Sequence, residues 1–197
     1  MASDAVTLIK NDHRLMEDLF AQLKNGGADR PALLAEVEAR LSAHARAEEA
    51  EVYPIIAKAA GENAEVQHGT YEHLEAEHKL RKVRNLIDSP HFDQALEEFV
   101  AAVGHHIQEE ESELLPALQK ATDKKTLDRL GAAFELARLD ELSTSGYEQA
   151  PETAQADTDD LADATRDELY EKAQAASIPG RSHMKKEELI EALREQA

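Results

Sequence analysis

The sequence predicts an all-α protein: an up-down four-helix bundle with a short fifth helix, followed by a small helix-loop-helix unit. Three observations predict it. Gly and Pro together supply only 14 of 197 residues, aromatic residues 4%, and Trp is absent, a composition rich in helix formers and poor in strand formers. Apolar residues recur at three- and four-residue spacing over long segments. The breaks between these segments are short, so consecutive helices should pack as antiparallel neighbours.

The first helix carries Val6, Ile9, His13, Met16, Leu19, Phe20 and Leu23 on one stripe, and Gly26-Gly27 stops it. The second runs from about Pro31 to Ala60, with Leu34, Val37, Leu41 and His44 inward. Pro31 suits a first helical turn, whereas Pro54 should kink the helix, because it lacks a backbone donor and crowds the preceding turn. The third runs from about Asn63 to Ile87 with Val66, His73, Leu74, His78, Arg81 and Val83, and Asp88-Ser-Pro-His ends it. The fourth, Phe92 to Ala121, carries Leu96, Phe99, Val103, His106, Glu110 and Leu114. A shorter fifth helix fits Lys124 to Leu142.

Charge divides the chain. Residues 1–142 hold 16 Lys/Arg against 28 Asp/Glu, a net of −12 within the total of −19. Residues 143–164 hold six acids and no base and read as a flexible acidic linker. Residues 165–197 are near neutral; Thr165-Arg-Asp-Glu168 is a capping box opening a helix. Ile178-Pro179-Gly180 turns the chain, and Lys185 to Glu195 forms a second helix. The acidity argues against a broad nucleic-acid surface on the main domain. No Cys is present, which excludes disulfides, thiolate metal sites and thiol nucleophiles. The start of the chain lacks a basic stretch followed by an apolar one, and no run approaches the ~18 apolar residues of a membrane span. A cytoplasmic protein is expected.

The chemistry lies in a repeat. His44-Ala-Arg-Ala-Glu48 and His106-Ile-Gln-Glu-Glu110 stand 62 positions apart, each with a Pro ten residues after its His, at Pro54 and Pro116. Residues at i and i+4 share one helix face, and imidazole with carboxylate on a bundle interior is metal-site chemistry. Asp12-His13-Arg14-Leu15 resembles Glu77-His78-Lys79-Leu80. Each half thus becomes one helix with an acid-His-base-Leu stretch and one with His-x3-Glu. His13, His44, Glu48, His78, His106 and Glu110 are therefore candidate metal ligands. The repeat selects His106 over His105, which lies about 100° round the helix. His73, five residues before His78 and roughly 140° away, joins the same metal only through a π-bulge or a bend. Tyr53, beside Pro54, approaches the site if the helix is distorted there. His68, His91 and His183 read as surface residues.

Residues 1 to about 140 resemble the hemerythrin-like, HHE cation-binding family on these motifs. The resemblance implies a four-helix bundle of hemerythrin type with an oxygen-bridged di-iron centre, two Fe ions held by five His and two carboxylates. It places Glu48 and Glu110 as bridges, His13 and His44 on one iron, and His73, His78 and His106 on the other. The ligand for the open position is then expected on the iron with fewer protein ligands. The His-rich set differs from the Glu-x-x-His pattern of ferritin-like bundles and suits small-molecule binding over iron storage. Residues 165–196, with Asp-Glu-Leu-Tyr, Ile-Pro-Gly-Arg-Ser and Met-Lys-Lys-Glu-Glu-Leu, resemble the small N-terminal module of the transcription terminator Rho. That likeness implies weak nucleic-acid or protein contact through Arg181, Lys185 and Lys186.

The function expected is a di-iron protein that binds or reacts with oxygen, peroxide or nitric oxide, in oxidative-stress defence. If it is an enzyme, it is a metal-centred, catalase-like peroxide consumer, since no other acid–base or nucleophile arrangement is visible. The rival is an oxygen- or iron-sensing module whose C-terminal unit contacts nucleic acid or a protein.

Overall fold

A computed structural model describes residues 3–26 and 29–145, together with Leu169, Lys185 and Lys186. The chain divides into two compact units, Met1–Tyr147 and Glu148–Ala197. Residues 146–168, 170–184 and 187–197, and with them most of the expected linker and Rho-like module, lie outside the described residues.

The first unit is all helical, in the order α1 (Ala5–Asn25), α2 (Arg30–Ala47), α3 (Tyr53–Ala60), α4 (Asn63–Asn85), α5 (Phe92–Glu109), α6 (Leu115–Ala121) and α7 (Lys124–Thr144). Two π-helical segments, Glu48–Val52 and Glu110–Leu114, join α2 to α3 and α5 to α6. Each join makes one long helix, so the expected four-helix bundle with a fifth helix is what forms. α7 runs two residues past the expected Leu142, taking Ser143 and Thr144 out of the linker.

Local chemistry sets the ends. Asp4, Asp29 and Asp123 cap α1, α2 and α7, their side chains accepting from the N–H of Thr7, Ala32 and Thr126. These bonds satisfy donors that the helix itself leaves free. Gly26 and Gly61 follow α1 and α3 at φ of 67° and 79°, the left-handed conformation that ends a helix.

The π segments answer an unusual spacing. His44, Glu48, Val52 and Ile56 are all buried, as are His106, Glu110, Leu114 and Leu118. An inward residue at every fourth position drifts by about 40° per step on an ordinary α-helix. A wider turn absorbs the drift. The Tyr53 N–H bonds to Glu48 O and the Leu115 N–H to Glu110 O, each five residues back. Pro54 and Pro116 then fall in the first turn of the resumed α-helix, where a missing N–H costs least. The expected kink at Pro54 is thus a change of helix type.

Two apolar clusters fill the bundle. One contains Met16, Phe20, Val37, Leu80 and Phe99; the other contains Ile9, Val52, Tyr53, Leu115 and Phe134. The buried polar side chains lie between them along the helices: His13 between Ile9 and Met16, and His44 between Leu41 and Ala47.

α7 packs on α1 and α2, and at Gly131 it closely approaches the start of α1, where a Cβ would collide with the backbone of Ser3 and lie 2.9 Å from Ala5 N. Gly131→Ala should therefore destabilise the bundle by about 1–3 kcal/mol, measured as a lowered thermal midpoint. An unchanged midpoint would show that α7 is not seated on α1 as described.

Candidate metal centre

Six of the seven expected ligands converge. His13, His44, Glu48 and Glu110 form one group and Glu48, His73 and His106 a second; within each, one donor atom per residue lies within 4.8 Å of the others. Glu48 joins the groups, its Oε1 being 3.3 Å from His44 Nε2 and its Oε2 3.4 Å from His73 Nε2. His13 Nε2 stands 3.2 Å from Glu110 Oε2, and the Nε2 atoms of His73 and His106 are 3.0 Å apart.

The seventh, His78, stays outside this convergence. It is exposed and belongs to neither group. α4 is regular α-helix throughout and carries no π-bulge to bring His73 and His78 together. Its inward stripe is Gly69, His73, Ala76, Leu80 and Val83. His78 sits two residues from both Ala76 and Leu80, about 200° round from each. Leu74 and Arg81, also expected inward, are exposed for the same reason. His73 is therefore the partner of His13 across the pseudo-twofold, and each half offers two imidazoles instead of two and three. His105 is exposed, as its register predicts.

An outer ring of carboxylates orients the imidazoles. His13 Nδ1 donates to Glu111 (2.9 Å), His44 Nδ1 to Asp12 (3.3 Å), His73 Nδ1 to Glu49 (2.9 Å) and His106 Nδ1 to Glu72 (3.0 Å). Each bond places the proton on Nδ1 and turns the Nε2 lone pair inward, as metal-binding histidines require. The ring obeys the same pseudo-symmetry: the acid before each first-helix His holds the second-helix His, and the acid after each inner Glu holds the first. Arg14 also pairs with Glu111, and Arg138 lies 3.6 Å from Asp12. Sequence reasoning missed these four acids, although Asp12-His13 with Glu72-His73, and Glu48-Glu49 with Glu110-Glu111, were there to be matched.

Inside the ring, polar atoms lack partners. His13 Nε2, His44 Nε2 and both oxygens of Glu48 and Glu110 are buried without a hydrogen bond. Buried carboxylates without partners are costly, and in the chain alone protons must offset that cost. Burial and the nearby Glu110 charge push the Glu48 carboxyl well above the usual range. Burial acts on His13 in the opposite sense, but its approach to Glu110 prevails and its pKa is raised. Burial lowers His44 to about 4 despite its bond to Asp12. Divalent cations would take the place of those protons, and the orphaned nitrogen and oxygen atoms fit them. With no thiolate available, the donor set suits first-row metals that accept imidazole and carboxylate.

Tyr53 stacks on His73 with ring centroids 5.7 Å apart, and its hydroxyl is 3.5 Å from His73 Nε2. Burial raises its pKa, so the phenol stays protonated. Gly69 opposite leaves room for it: a Cβ there would lie 2.8 Å from the Tyr53 hydroxyl. On the other side, Phe134 of α7 packs against His44 at 5.8 Å. A cavity of about 260 Å³ reaches His106 and Glu110 from the surface between α4 and the second π segment. This opening lies on the His106 side of the site.

Fold and site together define a metal-cation-binding helix bundle. The chain belongs to the hemerythrin family: the model of the hemerythrin HHE cation binding domain matches residues 4–118. No curated protein and no solved structure matches the chain. Among the described residues no helix is long and apolar enough to cross a membrane.

His44 gives the metal-free chain a pH signature. Its folded pKa of about 4 lies below the 6.5 of the unfolded chain, so the unfolded state binds the proton first as pH falls. The stability that neutral His44 supplies is full above pH 6.5 and lost on descent towards pH 4, about 3 kcal/mol in all. Urea unfolding of the chelator-treated protein should show this loss relative to His44→Gln. Parallel pH profiles for the two would contradict the burial of His44.

Proposed function

We propose that the domain holds two iron ions through His13, His44, Glu48, His73, His106 and Glu110, and binds or reacts with a small oxygen species: oxygen, peroxide or nitric oxide. The observation that carries this reading is the orphaned interior. Four imidazoles present Nε2 inward, two buried carboxylates stand without hydrogen bonds, and Glu48 is shared between both donor groups. Bound iron supplies one-electron chemistry and an electrophilic centre for the small ligand.

The chain's own residues do the rest. The outer carboxylates hold each imidazole in one tautomer and strengthen it as a donor. The two apolar clusters and Phe134 exclude water from the His13–His44 side. The cavity beside His106 and Glu110 admits a small molecule between α4 and the second π segment. The protonated Tyr53 hydroxyl beside His73 is a phenolic proton donor at the site. We assign the protein to peroxide consumption or a related stress-defence role on this combination of a cavity leading to the site and a buried donor set suited to iron.

Metal analysis after anaerobic reconstitution with Fe²⁺ should give about two ions per chain. His78→Ala should retain both, while His73→Ala should lose at least one and His106→Ala should abolish peroxide turnover. One zinc per chain with no visible absorption, or metal loss in His78→Ala, would overturn the assignment.

A further inference from the structure

A second set of donors stands at the mouth of the cavity. His68 lies one turn before Glu72 on α4, and Glu109 ends α5 opposite them. His68 Nε2 is 3.6 Å from Glu72 Oε1 and 3.4 Å from Glu109 Oε2. His105 Nε2 is 3.4 Å from Glu109 Oε1. One donor atom from each of His68, Glu72 and Glu109 lies within 4.8 Å of the other two.

Isolated surface pairs of this kind contribute little and need no function. Two observations set this one apart. The trio lines the same cavity as His106 and Glu110, and both Glu110 oxygens are buried there without a hydrogen-bond partner. Glu72 also works in two directions, its Oε1 facing His68 and its Oε2 accepting from His106 Nδ1 at 3.0 Å. The mouth is thus wired to the interior by one carboxylate. In the other half α7 packs on α1 and α2, and the Phe134 ring stands 5.8 Å from that of His44.

We propose that His68, Glu72 and Glu109 bind a divalent first-row cation at the mouth of the cavity and pass it to the buried centre. One imidazole and two carboxylates leave positions for water, so the ion is held weakly and exchanges. The anionic rim concentrates cations at this opening to His106, and Glu110 receives the ion inside. The transfer half of this proposal rests on the buried di-metal reading; the mouth site does not.

The test uses the full-length metal-free chain and Co²⁺ without oxygen. Equilibrium dialysis counts bound ions, and stopped-flow absorption follows the filling of the interior. The variant is His68→Ala with Glu109→Gln, an exposed and a half-buried position outside the buried donor set. Wild type should bind one weak ion more than the variant. The variant's interior should fill to the same extent but about tenfold more slowly, as expected when a charged entrance is removed. Equal ion counts would overturn the mouth site, and unequal counts with equal filling rates would overturn transfer. A chain that binds one ion lost in the variant and none inside would refute the buried centre, and with it transfer, while keeping the mouth site.

Discussion

Glu48 and Glu110 are buried inside the bundle, and among the described residues their ion pairs are with histidines alone. Moving even one carboxylate out of water costs several kcal/mol unless something positive or a proton meets it. Around this constraint the rest of the domain is arranged. Imidazoles surround the two carboxylates, outer acids fix those imidazoles, and apolar clusters close the bundle above and below. The cores can support such a polar layer because they pack on both sides of it. Without a cation, protons on Glu48 and His13 beside an ionised Glu110 hold the same place.

The pseudo-twofold is close in chemistry and broken in surroundings. Each half supplies one His from a first helix, a His-x3-Glu from a second, and two outer acids. The Asp12–His44 pair is roofed by α7, through Arg138 and Phe134. The matching Glu72–His106 pair faces a cavity instead. Identical donors therefore sit in a dry half and an accessible half, and Tyr53 stacks only on the accessible side's His73. The described asymmetry lies in what surrounds the donors.

Much of this was legible in the sequence. The helical layout followed from apolar spacing and breakers, and the His-x3-Glu repeat located four of the six inner donors. His73 and His78 were harder to separate, because the inward stripe of α4 is built partly of Gly69 and Ala76. Small residues carry little hydropathy signal, so the large but outward Leu74 drew the stripe to the wrong face. Aligning the halves on acid-His-base-Leu reinforced the error, since Glu72-His73 offers the same acid-His step without the base. The π segments were hidden because periodicity arguments assume one helix type. Their trace, buried residues at every fourth position, emerges only once burial is known. The outer acids were invisible among 41 acidic residues, because an orienting carboxylate differs from a solvated one only by what it faces.

The fifth helix also bears on where the domain ends. The family match stops at residue 118, and α7 begins at Lys124. Yet Phe134 stands against His44, and Arg138 lies beside the acid that orients it. A fragment trimmed to the region of likeness would keep every inner donor and lose one wall of their chamber. Water would then reach the His13–His44 pair directly, erasing the difference between the two halves. The boundary of shared ancestry and the boundary of the working unit do not coincide in this chain.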